Sequence, residues 1–182
     1  MNIGLTQRIF YHKQRAYDGL EHGWYSFLKE HTLSPIQNNP NQNFKKIADS
    51  VDLLIITGGN DPTLRRITET KLATEMMLRG KPILGICHGA FLLTNLLGGT
   101  VEDCSYHMDT EHKIISEGAD HIVNSYHDYQ ITKLHASATS IAVDEDGICE
   151  AWIDRNIAGI VWHPERMTKP YLPNIIKTTT GL

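Results

Sequence analysis

The chain has 182 residues, 41% hydrophobic and 21% charged, with three cysteines and a net charge of −4; this composition predicts one globular domain over residues 1–182 with a sizeable core. The negative balance, with no dense Lys/Arg stripe interleaved with aromatics, excludes a sequence-independent grip on nucleic acid. No apolar run is long enough to span a bilayer, no leader pattern opens the chain, and an odd cysteine number fits free thiols, so a cytoplasmic protein without a membrane partner is expected.

In chain order, Ile3 to Thr6 reads as a strand, and Tyr17, Leu20, Trp24, Phe27 and Leu28 then recur at helical spacing up to His31. Leu33 to Gln37 reads as a second strand, and the polar run Asn38 to Asn43 as a surface connection. Val51 to Thr57 has the unbroken apolar character of a parallel strand buried on both faces. Gly58-Gly59-Asn60-Asp61-Pro62 ends it, and Arg65 to Arg79 is a predicted helix. A buried strand in the run Lys81-Pro82-Ile83-Leu84-Gly85-Ile86 and the helix from His88 to about Leu97 follow, stopped by Gly98-Gly99. Alternation of strand and helix makes this half an α/β fold with a parallel sheet. From Val101 onward short β segments take over, with Asp144-Glu145-Asp146-Gly147 as a hairpin turn between Ser140–Val143 and Ile148–Ile153. Ile157 to Trp162 is an apolar strand running into His163-Pro164-Glu165, and Pro170 to Thr179 is a short terminal helix.

Chemistry concentrates at three strand exits, where open parallel sheets bind ligands. Gly85-Ile86-Cys87-His88-Gly89 sets one cysteine between two glycines at a strand-to-helix junction, the pattern of a nucleophile elbow with sulfur as the nucleophile. The helix N-terminus behind it favours a thiolate and an oxyanion beside it. In an extended segment His163 and Glu165 share a face, so they can serve as base and orienter. Either residue alone would be an ordinary surface group; with Cys87 they complete a Cys-His-Glu triad. The backbone N–H of His88, with that of Gly59 or Asn60, forms the expected oxyanion hole. Cys104 and Cys149 lack an elbow and read as structural. The cluster His107, Asp109, Glu111, His112 has metal-ligand residue types without ligand spacing and reads as a solvated loop; His121 and His135, without a nearby partner pattern, read as structural or exposed. No metal and no cofactor is required.

These motifs resemble the class I glutamine amidotransferase superfamily, whose members carry G-x-C-x-G at the elbow and H-P-E near the C-terminus. Gly58-Gly59-Asn60-Asp61-Pro62 and Trp162-His163-Pro164-Glu165 look more like its γ-glutamyl-γ-aminobutyrate hydrolase branch. Ile3-Gly4-Leu5-Thr6-Gln7-Arg8, Gly23-Trp24-Tyr25-Ser26-Phe27-Leu28 and Val123-Asn124-Ser125-Tyr126-His127 are similar to the stand-alone hydrolases of surface-polysaccharide gene clusters that cut γ-glutamyl-CDP-amidate. The resemblance implies a flavodoxin-like open parallel sheet flanked by helices, with a small antiparallel β appendage. It implies hydrolysis of a γ-glutamyl amide through a γ-glutamyl thioester, a small-molecule γ-glutamyl substrate, and a step towards capsular phosphoramidate groups. A synthase partner is implied only if the chain is instead a glutaminase subunit passing on ammonia. Many relatives carry Gln four residues after the cysteine, where it holds the glutamyl portion; Phe91 stands there in this chain, and Ser125, Tyr126 and His127 are the expected compensating contacts, beside Gly58. Arg8, at the exit of the first strand, is the expected grip on a diphosphate leaving group.

Overall fold

The computed structural model describes residues 1–104 and 110–182. In chain order the elements are β1 (Asn2–Thr6), β2 (Arg8–His12), β3 (Arg15–Gly19), α1 (Gly23–Phe27), β4 (Thr32–Ile36), α2 (Phe44–Ser50), β5 (Leu53–Ile56), α3 (Thr63–Leu78), β6 (Ile83–Ile86) and α4 (His88–Leu96). They continue with β7 (Thr100–Asp103), β8 (Thr110–Ser116), β9 (Ala119–Ser125), β10 (Tyr129–Lys133), β11 (Thr139–Asp144), β12 (Cys149–Asp154), β13 (Ile157–Ile160) and α5 (Asn174–Thr180).

One sheet runs β4-β1-β5-β6-β13-β12-β11-β8-β9, with β10 bridging β12 and β7. The first five strands are parallel neighbours; from β13 to β12 the pairing turns antiparallel. The antiparallel strands thus continue the parallel sheet. At its centre β5, β6 and β13 are buried along their length, because Leu53-Leu54-Ile55-Ile56 and Ile83-Leu84 have α3 and α4 packed on them. Ile56 stands beside Gly85, and Ile86 beside Ile160. The segments leaving these three strands therefore emerge side by side, and they carry Gly58, Cys87 and His163.

The expected hairpin of β11 and β12 is present, with Gly147 at φ +81 in its turn. Three local expectations need correction. Helical spacing from Tyr17 to His31 predicts one long helix, but Arg8–His12 and Arg15–Gly19 pair as a two-stranded antiparallel sheet and only Gly23–Phe27 is helical. Lys13 and Gln14, both at positive φ, make the two-residue turn; a Lys-Gln pair lacks the Asn-Gly signature that marks such turns in a sequence. Helix α2 was not expected; its start is marked by Asn43, whose side chain accepts the backbone N–H of Lys46 at 3.0 Å. Finally, β13 ends at Ile160, and His163-Pro164-Glu165 opens a 3-10 turn over Pro164–Arg166 in place of an extended segment.

Candidate active site

Cys87 follows β6 directly and precedes the first residue of α4, at φ +49 and ψ −105. A non-glycine residue held there stores roughly 1–3 kcal/mol of backbone strain, which persists only where surrounding structure over-determines it. The Cys87 N–H donates to the carbonyl of Ile160 at 2.8 Å, and the Cys87 carbonyl accepts from Phe91 N–H at 3.1 Å. Gly89 lets the helix come this close: a Cβ there would sit 2.1 Å from the carbonyl oxygen of Ile56. A Cβ on Gly85 would lie 2.5 Å from the Gly89 backbone. The elbow's two glycines are therefore demanded by strand–helix contact.

The thiolate expected at this helix N-terminus is not the resting form. Burial pushes the Cys87 thiol up to about 11, outweighing the hydrogen bond from the His88 backbone and the positive charges of Arg166 and Arg8. A proton acceptor is thus needed for reactivity.

His163 supplies a ring suited to that task. Its Nδ1–H donates to Glu165 Oε1 at 2.7 Å, and both side chains are buried. This tautomer leaves Nε2 as the basic nitrogen. A Cβ on Gly58 would lie 2.3 Å from His163 Cε1, so the imidazole fills the place a side chain would take. Although the pair is not on a regular strand, its position is clamped: His163 N–H donates to Asn124 Oδ1 at 2.8 Å, and Asn124 Nδ2 donates to the His163 carbonyl at 2.9 Å. Tyr126 meets the imidazole edge-on, centroids 5.6 Å apart, and Arg166 lies 4.7 Å above the Tyr126 ring. Arg166 also makes a two-pronged bond to Glu21, 2.9 Å on each prong.

The loop after β5 is held from behind by a buried ionic network. Arg65 is fully buried; it donates to the carbonyls of Thr57 (2.5 Å), Asn60 (2.8 Å) and Gly58 (3.4 Å) and to Glu69 Oε1 (2.8 Å). Glu69 also accepts from Thr6 Oγ1 at 2.7 Å and pairs with His88 Nε2 at 2.8 Å. Burial pushes the Glu69 carboxyl up, yet the His88 and Thr6 hydrogen bonds and the Arg65 charge hold it below its ordinary value. A second guanidinium grips the same loop: Arg8 Nε donates to the Gly58 carbonyl at 2.9 Å. With that carbonyl drawn to the arginines, the Gly59 N–H, opposite it across a trans peptide, points away from them. The Asn60 side chain is occupied, donating to the Ile9 carbonyl at 2.6 Å.

A cleft of ≈ 760 Å³ unites Gly59, Asn60, Cys87, His88, Phe91, Tyr126 and His127. Phe91 meets His127 and Tyr129 edge-on, both at 5.9 Å, so this wall is aromatic. Ser125, the last residue of β9, is fully buried and does not line the cleft; Gly58 lies beneath the His163 ring. Arg8 lines a second cleft of ≈ 450 Å³, with Phe10, Glu21 and Asn60, and pairs with Glu21 at 3.3 Å.

Sequence reasoning missed Asn124, Glu21, Arg166 and the pair Arg65–Glu69. Only the last left a signal, an oppositely charged pair four residues apart on the buried side of a helix. Of the suspected polar loop, His107 and Asp109 lie outside the described residues, Glu111 is exposed, and His112 pairs with Glu150 at 3.4 Å. Among the described residues no group of three or more His, Cys, Asp or Glu is arranged to hold a metal. His121 stacks on Tyr171 at 3.8 Å, and His135 does have a partner, Asp154 at 2.9 Å. No disulfide links the three cysteines, and no helix among the described residues is long and apolar enough to cross a membrane.

The family model for class-I glutamine amidotransferases matches residues 16–180. The chain belongs to that family. The gamma-glutamyl-CDP-amidate hydrolase of Campylobacter jejuni is 29% identical over 183 residues, 91% of this chain and 90% of that protein. The glutamine-hydrolysing GMP synthase subunit of Halobacterium salinarum is 32% identical over 126 residues, 63% of this chain and 66% of that protein. A glutamine amidotransferase structure from Thermotoga maritima superposes with a TM-score of 0.70 at 15% identity, covering 90% of this chain and 76% of that one. The fold of this amidotransferase-family chain is thus the one its strand order describes.

Proposed function

We propose that this protein is a γ-glutamyl amide hydrolase whose nucleophile is Cys87, and that its substrate is γ-glutamyl-CDP-amidate. The observation that carries the reaction type is the convergence of a strained, buried Cys87 with a carboxylate-oriented His163 on neighbouring strand exits. His163 Nε2 takes the thiol proton as Sγ attacks the γ-carbonyl carbon. The developing oxyanion is held by the backbone N–H groups of His88 and Gly59, Gly59 being favoured over Asn60 by the fixed Gly58 carbonyl. His163 returns the proton to the nitrogen as the carbon–nitrogen bond breaks, leaving a γ-glutamyl thioester. Water, deprotonated by His163, then attacks the thioester; glutamate leaves and the thiol is restored. The aromatic wall of Phe91 with Tyr126 and His127 bounds the glutamyl portion.

The nucleotide-linked leaving group is supported by the hydrolase relative's 91% coverage of this chain. A place in the synthesis of capsular phosphoramidate groups, in the cytoplasm, accompanies this reading. Likeness to a GMP synthase subunit over 63% of the chain favours a second reading, a glutaminase subunit that delivers ammonia to a synthase. A product assay against glutamine, γ-glutamyl-aminobutyrate and γ-glutamyl-CDP-amidate separates them. Preferred release of glutamate and cytidine diphosphoramidate from the last is expected. Glutamine hydrolysis that rises only on adding a synthase would replace this function with the second reading.

A further inference from the structure

The β2–β3 hairpin has no counterpart among the sequence expectations, and its two faces differ sharply. One face is anchored: Ile9 is buried, and Asp18 accepts from both the backbone and the side chain of Asn38 at 2.8 Å. The other face carries Arg8, Phe10 and His12 on β2, opposite Gly19, Tyr17 and Arg15 on β3. Phe10 and Tyr17 stack with centroids 5.6 Å apart and planes 20° from parallel, yet remain 51% and 42% exposed. A Cβ on Gly19 would lie 2.7 Å from the Phe10 ring, so the ring lies over this glycine at the wall of the second cleft.

The root of this face is fixed to the reacting centre. Arg8 holds the Gly58 carbonyl, and Asn60, which borders both clefts, is tied to the Ile9 carbonyl. Moving outward from Cys87, the order is therefore a guanidinium beside the oxyanion loop, then a stacked aromatic pair about 7 Å further along the strand, then His12 and Arg15. Cation first and aromatic platform second is the order in which a nucleotide amidate would present its diphosphate and its base. Arg166, fastened to the same Glu21 as Arg8, adds positive charge on that side.

We propose that the exposed face of the β2–β3 hairpin is the leaving-group subsite, with the diphosphate against Arg8 and the nucleobase stacked on Phe10 and Tyr17. This rests on the nucleotide reading above and adds the residues that select for it. Base–aromatic stacking is worth ~1–3 kcal/mol per base, or roughly 5- to 150-fold.

The test measures KM for γ-glutamyl-CDP-amidate, together with calorimetric Kd for CDP, in Phe10→Leu, Tyr17→Leu, Phe10→Trp and Tyr11→Ala. Both leucine variants are expected to raise KM and Kd at least about fivefold. Phe10→Trp should restore stacking, and Tyr11→Ala, on the opposite face, should match wild type. Wild-type KM and Kd in both leucine variants, with the nucleotide substrate still cleaved, would overturn the hairpin subsite and leave the proposed substrate standing. Glutamate release from glutamine alone, with neither cleavage of the nucleotide substrate nor CDP binding, would overturn both.

Discussion

The elbow around Cys87 and the β2–β3 hairpin stand at opposite extremes of this molecule. At the elbow, two glycines, a positive φ and buried neighbouring strands leave the backbone a single arrangement, and the side chains around it are almost wholly buried. In the hairpin, a two-residue turn and one anchored face suffice, while Phe10, Tyr17 and Arg15 face solvent. The first arrangement is what bond-making needs, since a nucleophile and its base must be held to a fraction of an ångström. The second suits discrimination among leaving groups, because an exposed face can change its side chains without disturbing the sheet. On the proposed function, reaction type and substrate choice are separated in space, with the doubly gripped loop Gly58–Asn60 as their boundary.

The severest challenge to this division is Cys87→Ala, expected to lower glutamate release by at least about 10⁴-fold in a steady-state assay, as removal of a covalent nucleophile does. Circular dichroism should show the fold retained; turnover near wild type would displace Cys87 from its role. His163→Ala should cost ~10²–10⁴-fold in kcat, and Glu165→Gln less, because the orienter never receives the substrate proton.

The network behind the loop gives a stability effect. Glu69→Ala leaves the fully buried Arg65 without its carboxylate and is expected to cost about 3–5 kcal/mol in urea unfolding. The Glu69 carboxyl is held low in the fold, so its contribution is present above the unfolded value near 4.5 and is lost as pH falls through the lower folded one. Wild type should therefore lose stability relative to Glu69→Gln on acidification below about 4.5, a difference that repeated urea titrations would read.

Arg8 sharpens the boundary itself. Because it grips the Gly58 carbonyl as well as facing the second cleft, Arg8→Ala should lower kcat for glutamine by roughly tenfold, the worth of one charged hydrogen bond. A KM effect confined to the nucleotide substrate would place Arg8 wholly on the leaving-group side. The mildest effect concerns protonation: with the Cys87 thiol raised to about 11, alkylation of the free protein by iodoacetamide should keep rising beyond pH 9. A plateau near neutrality would mean that the thiolate is already formed in the resting protein.

Much of the reaction centre was written locally. Gly85-Ile86-Cys87-His88-Gly89 states an elbow by its pattern, although only Gly85 is required within the turn itself, where a Cβ would meet the Gly89 backbone, while Gly89 is required by the Ile56 carbonyl of β5; the apolar runs of β5, β6 and β13 state a buried parallel sheet. The pairing of His163 with Glu165 was expected on the premise of an extended segment, whereas a 3-10 turn makes the bond. What the sequence could not state depends on residues far apart in the chain. Asn124 clamps His163 from 39 residues away, and Glu21 joins Arg166 across 145. Cys87 keeps its proton because burial, a property of the assembled fold, outweighs the local helix terminus. The hairpin was hidden for a related reason: Tyr17 fits a helical period along the chain, but its ring finds Phe10 across a strand pair, and cross-strand partners leave no periodic trace. Local pattern was therefore enough to locate the proposed nucleophile, while its protonation, the rigidity of its proposed base and the surface beside it were decided by long-range packing and desolvation, which exist only once the chain has folded.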